Sequence, residues 1–229
     1  MNAIHHTRIK ICGLTTPDEA IFCQKAGADA IGLVFFPKSP RHLSFEEARA
    51  ISEALPEKFP KVGVFVNENE KNILKTVEAA KLTAVQLHGQ ETPVLTEKLL
   101  KQGLLVLKVF YMTAEPSIDN QPNYPGCTAL VEWGEGALPG GNAMAWRDAS
   151  KNLPRDEPLV IAGGLDPSNV SHTIQNHAPD GVDVSSGVET APGRKDRDKI
   201  VQFIQAVADA DSSLANPSPI KEPFSCPIQ

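Results

Sequence analysis

The chain has 229 residues, 41% of them hydrophobic and 22% charged, with a formal net charge of −6 and a pI near 5.5. That length suits one large α/β domain, and the acidic balance lacks the basic stripes that a nucleic-acid surface requires. No apolar run approaches the ~20 residues of a membrane span, Met1-Asn-Ala-Ile-His-His-Thr7 carries no apolar leader region, and four cysteines without CxxC or framework spacing point to a reducing cytoplasm.

Short β-rich runs alternate with helical stretches along the whole sequence. Residues 8–13 read as the first strand, and Thr16-Pro17-Asp18-Glu19 starts a helix, with proline in the first turn and acids at the positive dipole end. Gly27 ends that helix where a left-handed cap is wanted. Residues 30–36 form strand two, and Ser44-Phe-Glu-Glu47 opens the next helix with a capping-box pattern. Residues 61–67 are strand three with a helix over 70–81. Residues 84–88 are strand four with a helix over 92–102, and 104–110 are strand five. Residues 113–126 are rich in Pro and Asn, which predicts a degraded or very short fifth helix. Strand six covers 128–132 with a helix over 145–152, and strand seven covers 158–161 with a helix from Asp166 to about His177. Strand eight covers 181–185, and a last helix runs from Asp196 to about Ala210. Eight strand–helix units suit a single (β/α)8 barrel over residues 1–211 better than an open sheet, and no Gly-x-Gly-x-x-Gly turn marks a dinucleotide fold. Residues 212–229, rich in Ser and Pro, are expected to be a disordered tail.

Residues two apart in a strand share a face. Lys10 with Cys12, Gln86 with His88, and Asp183 with Ser185 are therefore predicted to point into the barrel near its top, with apolar neighbours facing the helices. The bland reading of Gln86, His88 and Asp183 is a satisfied buried network, and for Lys10 that reading is preferred. Cys23 and Cys127 read as small buried hydrophobes. Cys12 differs, because it ends a strand at a Gly-Leu-Thr turn beside Lys10; with its pKa lowered by a cation it could be a nucleophile or a proton acceptor. Ala162-Gly163-Gly164-Leu165 and Ser185-Ser186-Gly187-Val188 follow strands seven and eight, where such barrels hold phosphate, and their glycines allow close backbone approach. Phe36-Pro-Lys-Ser-Pro-Arg41 is a stiff loop ending in a planar fork suited to a carboxylate.

Together, Lys10-Ile-Cys-Gly-Leu-Thr15, the run from Gly27 through Phe36-Pro-Lys-Ser-Pro-Arg41, Val62-Gly-Val-Phe-Val-Asn67, Val85-Gln-Leu-His-Gly89, Ala162-Gly-Gly-Leu-Asp-Pro-Ser-Asn-Val170, Gly181-Val-Asp-Val-Ser-Ser-Gly-Val-Glu189 and Pro192-Gly-Arg-Lys-Asp196 resemble the phosphoribosylanthranilate isomerases of tryptophan biosynthesis. The resemblance implies an Amadori rearrangement needing neither cofactor nor metal. It implies a phosphorylated small-molecule substrate, a monomer or homodimer, and no nucleic-acid or membrane partner. It makes Cys12 the general base and Arg41 the carboxylate anchor. It gives the phosphate to Gly163, Gly164, Ser185, Ser186 and Gly187, while His88 and Asp183 are candidate substrate contacts from their places at the strand tips. One departure stands out: the family usually reads Leu-Leu-Asp in strand six, with the aspartate as general acid, whereas this chain has Leu130-Val-Glu132 followed by a loop one residue shorter. Glu132 is then the expected acid, the shorter loop offsetting its extra methylene. Two other readings stay open: another isomerase or epimerase on a phosphate-binding barrel, for which Arg41 has no use, and a barrel that binds ligand without turnover.

Overall fold

In the computed structural model, which describes residues 6–134, 146, 153, 156–214 and 221–225, eight parallel strands close into one barrel. They are β1 (Arg8–Cys12), β2 (Ala30–Val34), β3 (Lys61–Phe65), β4 (Ala84–Leu87), β5 (Leu105–Tyr111), β6 (Thr128–Glu132), β7 (Leu159–Ile161) and β8 (Gly181–Val184). Each pairs with the next, and β8 closes on β1 with Lys10 opposite Asp183. Parallel neighbours need a crossover, supplied by α1 (Pro17–Ala26), α2 (Phe45–Glu53), α3 (Glu70–Ala79), α4 (Pro93–Lys101) and α5 (Val170–His177), while α6 (Arg197–Ser213) follows β8. The (β/α)8 barrel expected from the alternation is the fold found.

Strand pleating sorts the side chains into two layers. Ile9, Ile11, Ile31, Leu33, Val85 and Val182 are buried in the outer layer beneath the helices. Ala30, Val62, Ala84, Leu107, Leu130 and Val160 pack along the axis as the barrel floor. Local chemistry sets the helix ends. Thr16 accepts a hydrogen bond from the Glu19 N–H, Gly27 closes α1 at a φ of 112°, and Ser44 and Glu47 form a reciprocal capping box at α2.

The degraded fifth helix expected from the Pro- and Asn-rich stretch is what the structure holds, and the start of one later helix departs from the prediction. The fifth unit carries only a 3-10 turn, Ile118–Asn123, because Pro122 interrupts it and Glu115 binds Ser117 N and Asn120 Nδ2 instead. Helix α5 begins at Val170 rather than Asp166. Asp166 accepts hydrogen bonds from Ser168 N and Oγ, Asn169 Oδ1 accepts from Asp166 N, and Asn169 Nδ2 donates to the Gly164 carbonyl. Asp166, Ser168 and Asn169 thus spend their polar groups on a turn that braces the loop after β7. The helix expected over 145–152 lies outside the described residues, apart from the buried Trp146, whose Nε1 donates to Ala162 O.

The expectation of a disordered tail does not hold for its described part. α6 runs on to Ser213, and residues 221–225 lie against the amino-terminal floor of the barrel. Phe224, 4% exposed, joins the axial cluster. Thr128 Oγ1 donates to Pro223 O at 3.2 Å, Arg8 grips Glu222 at 3.0 and 2.6 Å, and Lys221 N donates to Asp180 Oδ1 at 2.8 Å. Ser and Pro content describes the approach to this segment and says nothing of the aromatic anchor at its end.

Candidate active site

At the carboxyl ends of the strands a cavity of about 280 Å³ opens. Cys12 enters it from β1, Gln86 from β4 with His88 just beyond, Glu132 from β6 and Asp183 from β8. The loop after β2 adds Phe36 and Arg41; the loop after β7 adds Gly163 and Gly164; Ser185 and Ser186 follow β8. The period-two argument thus places all three polar pairs correctly, Lys10 lying deeper than Cys12. Gly187 alone among the expected phosphate-loop residues does not line the cavity. A Cβ there would collide with the Leu165 carbonyl, so this glycine lets the loops after β7 and β8 pass each other.

Beneath the thiol, Lys10 is wholly buried and its Nζ donates to both Asp183 oxygens at 2.9 and 3.0 Å. A Cβ at Gly32 would come 2.6 Å from Cys12 Sγ and 3.1 Å from Lys10 Nζ, so the glycine lets thiol and ammonium share one pocket. Burial pushes the Cys12 thiol up, Lys10 and Lys195 pull it back, and the balance leaves it above its ordinary value. Burial works to discharge Lys10, but Asp183 and Cys12 outweigh it and hold the ammonium above the usual lysine value. The lowering that a nearby cation would have to supply is not found: desolvation wins. A thiol of this kind is seldom ionised at neutral pH, but once ionised it is a strong base.

On the β4–β6 side, Gln86 Nε2 lies 3.2 Å from His88 Nδ1. When that amide donates, the imidazole carries its proton on Nε2, which is buried without a hydrogen-bond partner among the described residues and stands 3.6 Å from Glu132 Oε1. A buried N–H aimed into a cavity is costly unless a ligand satisfies it. Glu132 itself is 6% exposed, and the absent side chain of Gly163 makes room for it, an ideal Cβ there falling 3.3 Å from Glu132 Cβ.

Arg41 lies half under the rim. Its Nε and Nη2 donate to the Glu189 carboxylate at 2.8 and 2.6 Å. Gly163 and Gly164 both have positive φ, 82° and 71°, and their amides donate no hydrogen bond to the described residues. Among the described residues there is no cluster of His, Cys, Asp or Glu suited to a metal ion, and no helix long and apolar enough to cross a membrane.

The sequence over residues 9–206 matches the family model for N-(5′-phosphoribosyl)anthranilate (PRA) isomerase. The chain belongs to this family. The phosphoribosylanthranilate isomerase of Desulfatibacillum aliphaticivorans is 47% identical over 201 residues, covering 87% of this chain and 92% of its own. That of Thermotoga maritima is 42% identical over 199 residues, covering 86% and 97%. A crystal structure of the Thermotoga maritima isomerase superposes with a TM-score of 0.82 at 40% identity, covering 89% of this chain and 99% of its own. Another solved phosphoribosylanthranilate isomerase, 40% identical with a TM-score of 0.76 over 89% of this chain and 99% of its own, is in complex with reduced 1-(o-carboxyphenylamino)-1-deoxyribulose 5-phosphate.

Membership of the isomerase family leaves three groups that sequence reasoning undervalued. Lys10 reads as a structural lysine, yet it is the cation next to the thiol. Glu189 and Lys195 stand inside the family-like motifs without a role, and only the folded hairpin of β9 (Glu189–Ala191) and β10 (Arg194–Lys195) brings them to Arg41. The signal available was the Pro192-Gly193 turn between two short polar runs, with Gly193 at a φ of 79°.

Proposed function

We propose that Cys12 and Glu132 are the general base and general acid with which this isomerase converts N-(5′-phosphoribosyl)anthranilate to 1-(2-carboxyphenylamino)-1-deoxyribulose 5-phosphate. Glu132 protonates the ribose ring oxygen, the bond from that oxygen to C1′ breaks, and the anilinic nitrogen supplies the electron pair that forms the Schiff base. Cys12, as thiolate, removes the C2′ proton, and the electrons of that C–H bond run through C1′ to nitrogen to give an enolamine. Tautomerisation protonates C1′ and leaves a ketone at C2′. The two electrons lost at C2′ are gained at C1′, so the redox balance closes within the substrate.

The single observation that carries this reading is that a thiol on β1 and a carboxyl on β6 line one cavity, with two glycine-bearing loops at its rim. Gly163, Gly164, Ser185 and Ser186 would hold the phosphate by amide and hydroxyl donors, with Gly187 setting their spacing. Arg41 would take the anthranilate carboxylate. His88 Nε2–H would donate to the sugar or to Glu132, and Asp183 would accept from a ribose hydroxyl while anchoring Lys10. The molecule is read as a cytoplasmic monomer or homodimer. The decisive experiment follows loss of phosphoribosylanthranilate fluorescence on the purified chain and on Cys12→Ser. The wild type should turn over, and the variant should lose ~10²–10⁴-fold in kcat because a hydroxyl is far too weak a base. A Cys12→Ser rate near that of wild type would reject the thiol as base.

A further inference from the structure

The guanidinium of Arg41 has two hydrogen-bonding edges, and among the described residues only one of them meets protein. Nε and Nη2 meet the two oxygens of Glu189 side-on, at 2.8 and 2.6 Å. The end-on edge, Nη1 with Nη2, is left for a second planar anion. Glu189 is itself held: its side chain is 4% exposed, Lys195 Nζ donates to Oε1 at 2.7 Å, and Lys199 Nζ donates to its carbonyl at 2.8 Å. Lys195 Nζ also donates to the carbonyl of Ser185, on the loop after β8, at 3.0 Å. On the other side, a Cβ at Gly13 would collide with Arg41 Cδ, so the arginine lies across the tip of β1 next to Cys12. Burial works to raise the Glu189 carboxyl, but Arg41 and Lys195 outweigh it and keep it below its ordinary value, so the clamp is ionised at neutral pH. Glu189 thus lies between the Arg41 guanidinium and Lys195 Nζ, whose ammonium burial pushes below its usual value against the pull of Glu189.

Resting on the reading of Arg41 as the carboxylate anchor, we infer that Glu189 is a specificity-determining positioning residue, which fixes Arg41 so that its end-on edge meets the carboxylate of the substrate's aromatic ring. Through Lys195 the same clamp is tied to the loop that receives the phosphate, so both anionic ends of the substrate are registered against one buried cluster. A guanidinium without the clamp would keep its charge and lose its aim, and a displacement of about 1 Å can cost on the order of 10²-fold.

The test measures dissociation constants of two stable probes by calorimetry on the full chain: reduced 1-(o-carboxyphenylamino)-1-deoxyribulose 5-phosphate, and its phenylamino counterpart lacking the carboxylate. Glu189→Gln should weaken the carboxylated probe by roughly 10–100-fold and the carboxylate-free probe by less than about threefold. Glu189→Asp, which keeps the charge but shortens the reach, should show the same selective loss to a smaller degree, and serves if the glutamine variant is unstable. Equal weakening of both probes would make Glu189 a merely structural residue and overturn the inference. Tighter binding of the carboxylated probe would overturn it in the other direction, because Glu189 would then compete with the ligand for Arg41. Arg41→Met separates the two levels: it should erase the wild-type preference for the carboxylated probe, and a preference that survives refutes the anchor role of Arg41 itself.

Discussion

Replacing Glu132 by Gln removes a proton source while leaving the shape of the cavity almost unchanged. The side chain is 6% exposed, its Oε1 lies 3.6 Å from His88 Nε2, and its Cβ fills the space opposite Gly163. The amide fits the same envelope, so packing and substrate contacts persist and only the ring-opening proton is lost. A placed general acid contributes ~10²–10⁴-fold, which at 1.36 kcal/mol per tenfold is about 2.7–5.4 kcal/mol of barrier. Because that interaction is made in the transition state, kcat and kcat/KM should fall together by this factor, with KM moving less than about threefold. Stopped-flow fluorescence of phosphoribosylanthranilate reads both parameters. Glu132→Asp restores an acid but draws it back by a bond length, and should lie between wild type and Gln. Should Glu132→Gln turn over within a few-fold of wild type, the carboxyl on β6 is not the acid and the argument from its position collapses.

Iodoacetamide should label Cys12 in preference to Cys23 and Cys127, because Cys12 lines the cavity whereas the other two thiols are buried away from it. Since the Cys12 pKa is raised, its thiolate fraction at neutral pH is smaller than that of a free thiol, and labelling followed by mass spectrometry should climb tenfold per pH unit to beyond the ordinary value of 9.0; a plateau below pH 7 would contradict the burial argument. Gly187→Ala drives a methyl group into the Leu165 carbonyl. It should cost about 1–3 kcal/mol, as overpacking does, lower Tm and raise KM for the phosphorylated substrate; an unchanged melting curve with an unchanged KM would count against the loop-crossing role. Phe224→Ala should destabilise by at most about 3–5 kcal/mol in urea unfolding while kcat stays within about twofold, and an unaltered unfolding midpoint would show that the floor contact contributes nothing.

Strand positions and the axial pairs were legible because alternation between apolar and polar residues is a property of neighbours in the chain. Ile9, Lys10, Ile11 and Cys12 declare their faces by spacing alone, and the barrel follows from repeating that pattern eight times. Capping at Thr16 and Ser44 was legible for the same reason, its hydrogen bonds spanning three residues. What escaped depends on partners far apart in sequence. Arg41 and Glu189 are 148 positions apart, and Lys10 and Asp183 are 173 apart; nothing local states that these charges meet. The direction of the Cys12 shift was open in the sequence, because a neighbouring lysine is visible there and depth of burial is not. The start of α5 was misplaced because Asp166-Pro167-Ser168-Asn169 carries helix-start residues that the fold uses as a self-bonded turn.

The grip of Arg8 on Glu222 joins residues 214 positions apart. It follows that the underside of the barrel closes late in folding: Gly181, Thr128 and the axial apolar side chains stay open to water until a segment more than two hundred positions beyond the first strand has folded back over them.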